Sequence, residues 1–111
     1  MKQTESLRKS QDFQRVYRKG KSYANKYLVM YVLPNQTAEN RLGISVSRKV
    51  GNSVVRHRMK RLIKENYRRK EDQFRCGFDM VVIVRKGAVG KTYKEIGSAI
   101  MHLAHLHNLI D

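Results

Sequence analysis

The stretch Arg41-Leu42-Gly43-Ile44-Ser45-Val46-Ser47 alternates without a break, with Leu42, Ile44 and Val46 on one face and Gly43, Ser45 and Ser47 on the other. That period of two predicts a strand. After Gly51-Asn52-Ser53, in which Asn52 or Ser53 suits a helix N-cap, Val55, Met59, Leu62, Ile63 and Tyr67 fall at helical spacing. The apolar run from Phe78 to Arg85 predicts a second strand, buried enough to be central. A strand, a helix and a strand in that order call for parallel pairing across a helical crossover.

Working outward, Ser10 to Lys19 predicts a short helix, with Ser10 as N-cap, Phe13, Val16 and Tyr17 on one face, and Gly20 as the stop. Tyr23 to Leu33 predicts one long strand, Tyr27, Val29, Tyr31 and Leu33 opposing Leu28, Met30 and Val32. Thr92 and Glu95 have capping-box spacing and open a last helix that buries Ile96, Ile100, Leu103, Leu106 or His107, and Ile110. The expected fold class is α+β: a single domain over residues 1–111, an α/β sandwich of about four mixed strands and three helices. Helices are expected on one face of the sheet and a partly open surface on the other.

Charge is the second strong signal. The chain of 111 residues has a formal net charge of +15. All of the imbalance lies in residues 1–70, where 19 basic residues face four acidic ones; residues 71–111 carry five of each. Arg48 to Lys70 holds ten basic residues and one acid, Glu65. On a helical projection His57, Lys60, Arg61, Lys64 and Arg68 lie opposite the apolar stripe, with Arg56 and Arg58 at its flanks. A solvated helix face mixes signs to form i,i+4 pairs; a face of one sign suits phosphate neutralisation. Phe13, Tyr17 and Tyr31 beside the small Gly43, Ser45 and Ser47 fit either a stacking platform for single-stranded nucleic acid or an ordinary core.

Catalytic constellations are missing from this pattern. Glu5, Asp12, Glu39 and Glu65 are scattered among cations, and His102, His105 and His107 have no carboxylate or thiol beside them. The lone Cys76 excludes an intrachain disulfide and a multi-cysteine zinc site. Gly87 to Thr92 ends in Gly-Lys-Thr but lacks the first glycine of a phosphate-binding loop. No apolar run is long enough to span a membrane, and Met1-Lys2-Gln3-Thr4-Glu5 has no signal-peptide core, so a cytoplasmic protein is expected.

The segment from Gly43 through Arg48-Lys49-Val50-Gly51-Asn52-Ser53 and Arg56-His57-Arg58-Met59-Lys60-Arg61 to Glu65 closely resembles the defining motif of the bacterial ribonuclease P protein subunit. Asp12 to Gly20, Ser22-Tyr23-Ala24-Asn25 and Leu28-Val29-Met30-Tyr31 extend the resemblance over essentially the whole chain. His57 stands where the family usually has Asn between two arginines. The resemblance implies a sandwich like the second domain of a small-subunit ribosomal protein, with a left-handed strand–helix–strand crossover. It implies a partner RNA that carries the catalysis with magnesium ions and removes the 5′ leader of precursor tRNA, with no obligate protein partner. The RNA subunit would meet Arg48, Lys49, Asn52, Arg56, Arg58, Lys60, Arg61, Lys64 and Arg68. The leader would lie in a cleft formed by Phe13, Tyr17, Tyr31, Ser45 and Ser47. The resemblance assigns no metal ligand to any residue. The competing expectation is a structural RNA-binding protein of ribosomal type, and a free-standing nuclease comes third for want of carboxylates.

Overall fold

The computed structural model describes residues 4–111; Met1, Lys2 and Gln3, read above for a targeting signal, lie outside the described residues. Five strands form one mixed sheet: β1 (Thr4–Ser6), β2 (Lys21–Ala24), β3 (Leu28–Pro34), β4 (Asn40–Ser45) and β5 (Phe78–Val84). Three helices complete the fold, α1 (Ser10–Lys19), α2 (Ser53–Lys70) and α3 (Tyr93–Leu106). The strand order is β1-β4-β5-β3-β2. β4 runs parallel to β5 and β1 parallel to β4, while β3 is antiparallel to both β5 and β2. The predicted β4–α2–β5 unit is present, and β5 is the middle strand.

The count exceeds the expected four for two local reasons. Tyr23 to Leu33 is a hairpin rather than one strand, because Asn25 breaks it. The Asn25 Oδ1 accepts from the amides of Tyr27 and Leu28, at 3.1 and 2.9 Å, forming a side-chain-closed turn. The Asn25 amide nitrogen then donates to the Ala99 carbonyl at 3.1 Å, pinning the turn to α3. The second addition, β1, is three polar residues held by pairing with β4 and extended by the Leu7 amide on the Leu42 carbonyl.

Both faces of the sheet are covered, which corrects the expectation of helices on one side. Leu28, Met30 and Val32 of β3 and Met80, Val82 and Val84 of β5 meet Met59, Ile63 and Tyr67 of α2 and Ile96, Ile100 and Leu103 of α3 in the main core. Leu42, Ile44 and Val46 pack against this core from its margin. On the opposite face α1 lies over a smaller cluster of Leu7, Val16 and Val81, with Phe13, Tyr17, Tyr31, Leu33 and Ile83 around it. Tyr27, expected on that second face, instead packs against the main core from the hairpin turn.

Cap chemistry follows the sequence at two helices of three. Asn52 accepts from the Val55 amide at 3.0 Å, and Thr92 with Glu95 forms a full capping box. The predicted Ser10 cap is wrong: Lys9 is the N-cap of α1 and offers no side-chain acceptor. At the other end of the chain Leu106 is exposed, whereas the His107 Nε2–H donates to the Met30 carbonyl at 2.8 Å and the ring packs edge-on to Tyr23. Helices α2 and α3 approach closely where Gly97 faces Asn66; a Cβ at Gly97 would collide with the Asn66 Oδ1.

Candidate nucleic-acid interface

Helix α2 has two unlike sides. Met59, Ile63, Asn66 and Tyr67 are buried, while His57, Arg58, Lys60, Arg61, Lys64 and Arg68 are exposed, the separation that the spacing predicts. The only ion pair on this surface among the described residues is Arg61 with Glu65, at 3.9 Å and largely exposed, so it neutralises little. Arg56 is half-buried, and its Nε is enclosed without a protein acceptor. Arg48 and Lys49 sit exposed in the turn between β4 and α2, next to the capping Asn52. The nine predicted RNA-subunit residues therefore occupy one continuous element, the turn and helix that follow β4.

The second predicted site lies across the sheet. Tyr17 packs edge-on against Tyr31 with ring centroids 5.1 Å apart, and Phe13 is tilted against Tyr17 at 6.3 Å. Phe13 rests on Gly43: a Cβ there would come within 2.6 Å of the ring. In the sheet register Gly43, Val81 and Tyr31 form one row beneath α1, and Ser45, Ile83 and Val29 form the next. Ser45, Ile83 and Val29 stay half-buried and Ser47 is exposed, so the surface beside α1 is a shallow apolar shelf walled by three rings. Phe13 and Tyr17 of α1 and Tyr31 of β3 are themselves half-buried, packed around Leu7, Val16 and Val81 yet still reached by solvent.

A buried carboxylate holds α1 in that position, and the sequence pattern does not mark it. Asp79, whose side chain is fully buried, accepts from Arg41 at 2.8 and 2.6 Å, from Asn35 at 3.0 Å and from Arg15 of α1 at 3.1 Å. Asp12 lies 3.5 Å from Arg41 and 3.8 Å from Arg15. Burial alone raises the Asp79 pKa, but the Arg41 and Asn35 bonds, the Arg41 charge and the Arg15 bond outweigh it and hold the carboxyl below its ordinary value. Two of the cations counted toward the basic two thirds, Arg15 and Arg41, are thus half-exposed but paired with carboxylates of the fold. Asp79 sits in the charge-balanced part of the chain, within an apolar run, and its partners are 38 and 64 residues away; only the register of three strands brings them together.

No group of three or more His, Cys, Asp or Glu side chains is placed to hold a metal ion among the described residues. Among them, too, no helix is long and apolar enough to cross a membrane.

An α/β sandwich with a one-signed helix on one side and an aromatic shelf on the other defines an RNA-binding class of protein, and comparison specifies which. The Ribonuclease P family profile matches residues 1–107. The Ribonuclease P protein component of Lachnoclostridium phytofermentans is 60% identical over 107 residues, covering 96% of this chain and 92% of that protein. Among solved structures, the RNase P protein of Staphylococcus aureus superposes with a TM-score of 0.89 at 35% identity, covering 98% of this chain and 100% of the other. That of Thermotoga maritima gives 0.83 at 34% identity, covering 89% and 94%. The chain belongs to the ribonuclease P protein family. It is a protein component of the tRNA-processing ribonuclease P holoenzyme, and the likeness favours this over a ribosomal structural role.

Proposed function

We propose that the turn and helix from Arg48 to Arg68 bind the RNA subunit, and that the shelf of Phe13, Tyr17, Tyr31, Ser45 and Ser47 receives the single-stranded 5′ leader of precursor tRNA. The observation that carries this is the pair of surfaces on opposite sides of one sheet, one built for phosphates and one for bases. Exposed Arg58, Lys60, Arg61, Lys64 and Arg68 have a single acid, Glu65, among them. Such a face gains by releasing counterions from a polyanion. The shelf offers partly exposed rings beside small side chains, and stacking tolerates any base, which suits a leader of variable sequence. The RNA subunit supplies the catalysis with its magnesium ions in the cytoplasm, while this chain contributes affinity and positioning.

Reconstitution with a bacterial ribonuclease P RNA tests the whole reading: leader cleavage at low magnesium is expected with the protein and not without it. Within it, Arg58→Ala, Arg61→Ala and Lys64→Ala should each flatten the salt dependence of RNA-subunit binding by about 0.7–0.9 in log–log slope, one contact each. Tyr31→Ala should weaken precursor tRNA relative to mature tRNA, without changing the RNA-subunit affinity. Slopes unchanged in all three variants would mean a merely solvated helix. Unchanged leader discrimination in Tyr31→Ala would remove the shelf.

A further inference from the structure

The main face of the sheet is not wholly roofed. Helix α2 runs beside β4 and α3 lies over β3 and β2, so a groove of about 650 Å³ stays open between α2 and the β1–β4 edge. Its floor is half-exposed Leu42 and Ile44 with the edge of Tyr67. Its width is fixed by a 2.7 Å hydrogen bond between the Thr4 and Tyr67 hydroxyls, which ties β1 to α2. Along the helical wall stand Lys60, Lys64 and Arg68. Residues four apart on a helix are ~6 Å apart along its axis, so the three cations form a line. Glu5 and Glu71 also border the groove, and with Arg8 its lining has four cations to two acids.

An apolar floor open to water beside a row of cations matches the two chemical halves of a nucleotide. A duplex backbone would use the cations and leave the floor wet. The volume falls within the ~300–1,000 Å³ of pockets that enclose one small ligand, too little for a helix of a partner protein. We propose that this groove takes a single unpaired nucleotide of the RNA subunit, its base against Leu42 and Ile44 and its flanking phosphates on Lys60, Lys64 and Arg68. The proposal rests on the RNA-subunit reading above and adds a base-holding site to a surface otherwise described by phosphate contacts.

Ser6 lines the groove, is exposed and lies opposite Leu42 in the β1–β4 register, so Ser6→Trp fills the space without removing a cation. RNA-subunit affinity should fall about tenfold, the scale of returning ~60 Å² of apolar surface to water, with the salt slope unchanged because all three cations remain. Wild-type affinity in a folded Ser6→Trp variant would overturn the proposal while leaving the phosphate contacts standing. If Trp lowers the melting temperature, the unmodified chain decides. In methyl NMR, adenosine 5′-monophosphate should shift Leu42 and Ile44 where ribose 5-phosphate does not; equal responses to the two, or none to the first, would overturn it. A wild-type chain that fails to bind the RNA subunit would remove the underlying reading together with the groove.

Discussion

The two faces of the sheet are built from the same three strands on opposite principles. Toward α2 and α3, Leu28, Met30 and Val32 of β3 and Met80, Val82 and Val84 of β5 are fully or nearly fully buried, and two long helices close over them. Toward α1, three buried residues suffice, the rings around them are half-exposed, and an ionic cluster on Asp79 anchors the helix. One face holds the chain together by area. The other holds a single short helix by a few directed bonds, leaving aromatic surface free for a ligand.

On that division the largest loss comes from the first face. Phe74, fully buried and edge-on to Tyr67 at 4.8 Å, should cost ~3–5 kcal/mol on truncation to Ala, read as a fall in melting temperature. A small effect would mean that the main core is not where stability resides. Next, Asp79→Asn should cost about 3 kcal/mol, because it leaves Arg41 and Arg15 facing a buried neutral amide. Since the folded Asp79 pKa lies below its ordinary 3.8, its contribution is fully present above that value and is lost as pH falls from there through the folded value. The acid limb of a wild-type stability curve should therefore be steeper than that of Asp79→Asn.

Gly43→Ala sharpens the contrast further. The added methyl meets the Phe13 ring and Leu7 Cβ, and overpacking of this kind costs ~1–3 kcal/mol. Its signature is a leader-affinity loss with RNA-subunit binding intact; equal loss of both would mean that the two faces are coupled. The smallest effect is expected at His107. Burial lowers its pKa, the Met30 bond opposes this and the Lys21 charge adds to the lowering. The folded value thus lies below 6.5, so stability is full above 6.5 and declines as pH falls through the folded value. His107→Gln should lessen that decline in denaturant titrations between neutral and mildly acidic pH.

The same division explains what could be read in advance. The β4–α2–β5 unit was legible because both of its periods, two and 3.6, are long and clean, and the Asn52 and Thr92 caps are local chemistry. Non-local features were not legible. β1 is three polar residues whose strand character exists only through pairing with β4. The split at Asn25 depends on one side chain turning back on its own backbone. The side of the sheet that α1 covers depends on Val16 packing with Leu7 and Val81 and on Arg15 reaching Asp79 across 64 residues. For the interface, helical geometry alone sorted the cations of α2 from its buried stripe. It could not show that Arg15 and Arg41 are paired with Asp79 and Asp12, nor that α2 stops short of the β1–β4 edge.

The middle position of β5 has a consequence for synthesis. β4 has only the three-residue β1 as another neighbour, and β3 has only β2, so before residues 78–84 emerge the chain offers a bare hairpin and a strand paired with three residues alone. A lone two-stranded hairpin is marginally stable in water. The first 70 residues, with their entire surplus of positive charge, therefore leave the ribosome before the strand that organises them. Folding of both faces waits on one late segment, and during that interval the nascent chain is an unfolded polycation in a compartment crowded with RNA.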